Sequence, residues 1–243
     1  MARLRPGPRG TGRCPRGCAR RGGRRVIIAI ESASPDASVA IAAPDGSPLA
    51  EDGWTADRRQ AGELFPRLLA LLERNGRALG EATAIAVGLG PGSFTGLRVG
   101  LSVAKGLSLA LRRPIVGVAS LAAWLAAEPQ AEAALSRAGA REAFLLIRGA
   151  ETPQIVEPAS LPARATHPGP AGQGVVVAAA ELAEAFGLAR ALPPLGGASA
   201  VARLAAERLR VEPAGDDLAR LEPTYLRAPR GIGTAADGAV KWL

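Results

Sequence analysis

Val26 to Ile30 is an unbroken apolar run rich in β-branched residues. It is too short for a helix and predicts a buried strand. A polar turn over Glu31 to Asp36 follows, and Ser38 to Ala42 predicts a second strand. Turn chemistry over Pro44 to Pro48 leads to a third strand near Leu49 to Trp54, so the chain opens with an antiparallel hairpin. Gln60 to Arg74 reads as a helix, with apolar residues at 64, 65, 68, 69, 71 and 72, a stripe wider than one face. Asn75-Gly76 stops it. Thr83 to Leu89 predicts a buried strand, and a glycine-rich loop then feeds a helix from Gly96 to Leu111. Pro114 to Val118 is a further strand, and Ser120 caps a short helix over Leu121 to Ala127.

Beyond that point the pattern weakens. Ala143 to Ile147 and Gly174 to Val177 predict strands, residues 149 to 173 read as a proline-rich loop, and Glu181 to Ala189 and Ser199 to Arg210 predict helices. No internal repeat or heptad array is visible. Alternating strands and helices predict an α/β fold with a mixed sheet, while the opening hairpin argues against a plain doubly wound nucleotide fold. The expected division is a basic tail over 1–25, a first lobe over 26–128 and a second lobe over 129–243.

Charge alters the picture only at the start. The net charge is +8, yet residues 1–25 hold nine Arg and no acid. The remaining chain holds 21 Lys and Arg against 22 Asp and Glu, a net of −1. Such a tail neutralises phosphates without choosing a sequence, and its Gly/Pro/Arg composition predicts disorder. Aromatic residues make up 3% of the chain, which argues against a base-stacking platform for single-stranded nucleic acid. No apolar run comes near the ~18 residues of a membrane-spanning helix. Cys14 and Cys18 both lie in the tail without metal-spaced companions, and a reducing, cytoplasmic setting follows. The single histidine, His167, sits in the proline-rich loop and has no metal-spaced companion.

The densest signal is Gly88-Leu89-Gly90-Pro91-Gly92-Ser93-Phe94-Thr95-Gly96-Leu97-Arg98. Glycines between a strand and a helix allow close backbone approach, either to a phosphate at the helix N-terminus or to the lobe itself. The loop is neither a P-loop nor a dinucleotide fingerprint. Candidate phosphate-loop residues are Glu31, Ser32, Gly90, Gly92, Ser93 and Thr95, Glu31 being the best-placed carboxylate. Along the helix that follows, Ser102, Gly106 and Ala110 form a small, smooth face beside Val99, Val103 and Leu107. Together with Leu64, Leu68 and Leu72 of the preceding helix, these offer more apolar surface than one lobe covers, and a partner protein would bury the rest.

The segments VIIAIESASPDASVAIA (Val26 to Ala42), GLGPGSFTGLRVGLSVAKGLSLAL (Gly88 to Leu111), PIVGVASL (Pro114 to Leu121) and EPTYLR (Glu222 to Arg227) resemble the TsaB family. The resemblance is strong up to about Leu121 and thin beyond it. It implies the actin-like/sugar-kinase ATPase (ribonuclease-H-like) fold, with two related lobes. It also implies a noncatalytic partner of TsaD, the transferase that places threonylcarbamoyl on the adenosine next to the transfer-RNA anticodon. TsaD carries a His-x-x-x-His metal pair, which a chain with one His cannot reproduce. The implied partners are a TsaD-like transferase and a TsaE-like ATPase, with tRNA reached through the complex and a homodimer when the chain is alone. The implied pairing helices are Gln60 to Arg74 and Gly96 to Leu111, and ATP or ADP with Mg would belong at the partner interface.

The sequence departs from the family in three places. The first strand ends in Glu31 where Asp is common, Gln60 stands where His is frequent, and Ser136 replaces the acid that opens the second lobe. Two other functions fit the same fold. A metal-dependent peptidase, after the family's old glycoprotease label, would need the missing His pair or a nucleophile with its base. A small-molecule kinase would need a carboxylate base in the interlobe cleft, where Ser136 stands.

Overall fold

A computed structural model of the chain describes residues 25–226, apart from 57–58, 140, 162–173, 189 and 195–196. The predictions for the basic tail, Cys14, Cys18 and His167 therefore lie outside the described residues. Strands β1 (Val26–Glu31), β2 (Asp36–Ala42) and β3 (Pro48–Thr55) form an antiparallel meander, with Ile28 opposite Ile41 and Glu31 opposite Ser38. Helix α1 (Gln60–Arg74) leads to β4 (Ala82–Gly88), then α2 (Phe94–Leu111), β5 (Ile115–Val118) and α3 (Ser120–Ala127). The second half holds β6 (Ala131–Arg137), β7 (Ala143–Ile147), β8 (Gln154–Val156), β9 (Val175–Val177), α4 (Ala180–Ala185), β10 (Ala191–Leu192) and α5 (Gly197–Val211).

The first sheet has the order β3-β2-β1-β4-β5, and the second the order β8-β7-β6-β9-β10. In each sheet the strand that is third in space comes first in the chain. It pairs antiparallel with the next strand and parallel with the fourth. The two halves are thus a duplication of one topology that no sequence repeat announces. Three strands escape the hydrophobic pattern. β6 reads as alanines and polar residues rather than as an apolar run, and β8 and β10 are three and two residues long.

Alternation along β1 divides the first core. Val26, Ile28 and Ile30 point to the face covered by α1 and α2, beside Val39, Ile41, Ile85, Leu64 and Leu68. Ile27 and Ala29 point to the opposite face, which Ala198, Val201, Ala202 and Ala205 of α5 cover. The expected second lobe over 129–243 is corrected here. The second sheet accounts for residues 131–192, and the chain then returns α5 to the first sheet. The return is held by Ala198 N–H, which donates to Ser38 Oγ at 3.0 Å, and by Asp216, whose Oδ2 accepts the Gly117 N–H at 2.7 Å.

Helix α2 also amends the reading that no stretch reaches membrane-spanning length. Its 18 residues have a mean hydropathy of 1.2, sufficient by length and composition alone. In the fold its inner face, with Leu101, Ala104 and Leu107, is packed in the first core, and Arg98 and Lys105 interrupt it.

Candidate functional site

The glycine loop closes onto its own lobe. Ser93 N–H donates to the Ala33 carbonyl at 2.6 Å, and Ser32 Oγ donates to the Gly96 carbonyl at 2.9 Å. A Cβ on Gly92 would strike the Ala33 carbonyl, and one on Gly96 the Ser32 carbonyl. These glycines are required because the turn after β1 occupies the space a side chain would need. Gly90, with φ +88°, precedes a cis peptide to Pro91. Ser93 caps α2, its Oγ accepting the Gly96 N–H at 3.2 Å. Of the two readings of the loop, close packing is the one this geometry supports.

Glu31 lies beneath that turn and is fully buried. Its Oε1 accepts the Ala33 N–H at 2.7 Å, while Oε2 faces Ser120 with no aligned hydrogen bond. Burial pushes the carboxyl up to about 7, against the opposing pull of the Ala33 N–H and the Ser120 hydroxyl. Gly88 leaves room for Oε2, and Gly197 for the side-chain stem, since a Cβ at Gly197 would stand 2.9 Å from Glu31 Cγ. Ser120 was expected as a helix cap. It is instead the first residue of α3, and its Oγ accepts the Gly90 N–H at 2.9 Å, pinning the loop to the next strand's end.

A cleft of about 350 Å³ opens between the loop and the second sheet, lined by Ala33, Gly92, Ser93, Thr95, Ser136 and Arg137 among others. Three of the six phosphate-loop candidates, Gly92, Ser93 and Thr95, reach it. Glu31, Ser32 and Gly90 do not: Glu31 and Ser32 are buried beneath the loop, and Gly90 is buried against Leu97 with its N–H on Ser120. Ser136 Oγ donates to the Pro91 carbonyl at 2.7 Å, so the residue that replaces the family's acid ties the second sheet to the loop. Among the described residues no group of three His, Cys, Asp or Glu could hold a metal ion. Glu31 is sealed away from this cleft, and the carboxylate that lines it is Glu181, which is paired with Arg137 at 3.0 Å.

The outer side of α1 and α2 corrects the predicted interface. Leu64, Leu68, Leu72 and Leu107 are buried in the first core and are unavailable to a partner. Val99 and Val103 are half-buried against the same core. Ser102, Gly106 and Ala110 are exposed, and a Cβ on Gly106 would meet nothing within 4 Å. Phe65, Leu69 and Leu109 are also exposed, Leu109 at 70%. Phe65 and Leu69 were legible as the excess width of the α1 stripe. Arg67, stacked 4.6 Å over Trp54 and paired with Asp52, seats that helix against β3.

Residues 55–160, from the end of β3 to just past β8, match the family model of TsaD, described as tRNA N6-adenosine threonylcarbamoyltransferase. An uncharacterized Mycobacterium tuberculosis protein is 31% identical over 213 residues, covering 84% of this chain and 92% of that one. The tRNA threonylcarbamoyladenosine biosynthesis protein TsaB of Escherichia coli is 37% identical over 95 residues, or 39% of this chain. YeaZ from Pseudomonas aeruginosa, a solved structure, superposes with a TM-score of 0.64 at 25% identity, covering 83% of this chain and 100% of that one. The chain belongs to the TsaB family. Its two mixed sheets with flanking helices are the actin-like, ribonuclease-H-like fold of that family. The matched stretches span 40% of the E. coli TsaB and 19% of a Solidesulfovibrio magneticus tRNA N6-adenosine threonylcarbamoyltransferase.

Proposed function

We propose that this TsaB-family chain is a partner subunit in threonylcarbamoyladenosine formation on tRNA, supporting a TsaD-like transferase without chemistry of its own. The observation that carries the reading is the likeness to TsaB proteins, together with a TsaD-like match over residues 55–160. The outer side of those helices, with Phe65, Leu69, Ser102, Gly106, Leu109 and Ala110, is the surface offered to the transferase. A TsaE-like ATPase joins the pair, and the assembly works in the cytoplasm. A sealed Glu31, and a cleft carboxylate, Glu181, that is already paired with Arg137, suit a scaffold better than a kinase or a peptidase.

Co-expression with a TsaD-like transferase, followed by light scattering on the purified species, tests the reading. A one-to-one complex is expected. Two separate species under every nucleotide condition would overturn it.

A further inference from the structure

The described residues end at the rim of the cleft between the loop and the second sheet. Leu221 packs in the first core, and the Thr224 N–H donates to the Leu89 carbonyl at 2.8 Å. Tyr225 lies against Phe94, a wall of the cleft, with ring centroids 5.5 Å apart. Its Oη accepts the Arg98 Nε–H at 3.2 Å. These contacts tie the chain to the first lobe as far as Tyr225, so residues 227–243, outside the described residues, set out from beside the cleft.

The cleft is lined mainly by apolar groups. Pro35, Phe94, Leu135, Ala138 and Leu182 wall its roughly 350 Å³, near the lower end of the range for ligand pockets. Three hydroxyls that line it are turned to the backbone. Ser34 Oγ donates to the Asp36 carbonyl at 2.8 Å, Ser136 Oγ donates to the Pro91 carbonyl at 2.7 Å, and Ser93 Oγ accepts the Gly96 N–H at 3.2 Å. Charge enters through the Arg137–Glu181 pair, which is exposed on both sides and so weakly held. An apolar centre with one charge of each sign beside it suits an apolar anchor flanked by the opposite charges.

Residues 227–243 have that character. From Gly231 to Ala239 they are Gly, Ala and Thr with one Ile and one Asp. Val240, Trp242 and Leu243 then supply the anchor, with Lys241 between them and Asp237 before them. The chain's other two Trp, Trp54 and Trp124, are buried in the cores. A Gly-rich chain of 17 residues has a root-mean-square span of roughly 22 Å, enough to fold back over a cleft next to its starting point. Tethering at that range gives a millimolar effective concentration, so an intrinsic dissociation constant of about 0.1 mM keeps such a segment docked about nine-tenths of the time.

We propose that Trp242 and Leu243 dock in this cleft of their own chain, with Lys241 facing Glu181 and Asp237 facing Arg137. The docked segment bridges the glycine loop and the second sheet and shuts the cleft to small solutes. The inference does not depend on the partner-subunit reading. Docking is measured on this chain alone, and it uses the cleft rather than the outer side of α1 and α2.

The test is the fluorescence of the full chain, read as the difference between the parent and Trp242→Ala, which isolates Trp242 from the two core indoles. That difference should be blue-shifted, and quenched several-fold less by acrylamide, relative to a synthetic peptide of residues 237–243. Thr95→Tyr fills the cleft from an exposed position and should return both readings to those of the peptide. Hydrogen exchange of the unaltered chain covers the case in which Thr95→Tyr fails to fold. Residues 238–243 should exchange about tenfold more slowly than the peptide, and residues 135–139 should exchange faster in Trp242→Ala than in the parent. Peptide-like emission and exchange in the parent would overturn the proposal. So would an unchanged signal in a folded Thr95→Tyr, which would place Trp242 elsewhere. A signal that grows with protein concentration alongside a dimer in light scattering would also overturn it, by assigning the segment to a second copy. Failure of the partner reading shows separately, as absence of the complex with the unaltered chain.

Discussion

At the residue scale, Glu31 carries the sharpest consequence. Its position at the end of the first strand was legible in the sequence, and so was its carboxylate; its burial was not. That burial depends on Gly88, Ser120 and Gly197, three residues from distant parts of the chain that meet around it. The folded carboxyl titrates near 7 and the unfolded one near 4.5, so between those values the folded state binds the extra proton. Stability from this group is therefore greatest below pH 4.5 and falls as pH rises to about 7, by up to about 3 kcal/mol. Glu31→Gln should remove most of that slope and be more stable than the parent at pH 8, as read by urea unfolding across pH. A slope shared equally by the two proteins would place the titration elsewhere. Gly88→Ala tests the same pocket from its other wall. The added methyl would land on Glu31 Oε2, and thermal unfolding should report a loss of about 1 to 3 kcal/mol.

At the scale of elements, α1 was legible to the residue, because Asn75-Gly76 marks its end and its apolar stripe sets its period. What periodicity left open was how much of a wide stripe the lobe would cover. The sheet takes Leu64, Leu68, Leu71 and Leu72, leaving Phe65 and Leu69 outside. On α2 the same division falls between Leu107 and Gly106. Two substitutions separate the inner and outer sides. Leu68→Ala opens a cavity in the first core and should cost about 2 to 5 kcal/mol in urea unfolding. Gly106→Leu projects into open space and improves helix propensity, so unfolding should stay within about 0.5 kcal/mol of the parent or rise slightly. If this side receives the proposed transferase, the effect should appear in light scattering as loss of the one-to-one complex. A destabilised Gly106→Leu would mean that this side of α2 packs inside the lobe after all.

At the scale of the whole molecule, the duplicated sheet order explains both what the sequence revealed and what it concealed. The first copy is written in Val and Ile runs that declare strands. The second relies on β6, an Ala-rich strand, and on very short edge strands, so its pattern falls below what periodicity can detect. The return of α5 could not be read at all, because a helix with an alanine-rich stripe fits either lobe. Yet α5 is what closes the first core: Ala198, Val201, Ala202, Ala205 and Ala206 cover Ile27, Ala29, Ala84 and Val116. Small side chains on both surfaces allow the helix to lie close to the sheet, and no other described helix is placed to substitute for it. Residues 26–128 expressed alone would expose that whole sheet face to water. This piece should therefore aggregate or show no cooperative thermal transition, although it contains every strand of the first sheet. Adding a peptide of residues 197–221 should restore a cooperative transition, detectable by circular dichroism on heating. If residues 26–128 melted cooperatively without the peptide, α5 would be an accessory to the first lobe, and the division of the chain at residue 128 would stand as the sequence suggested.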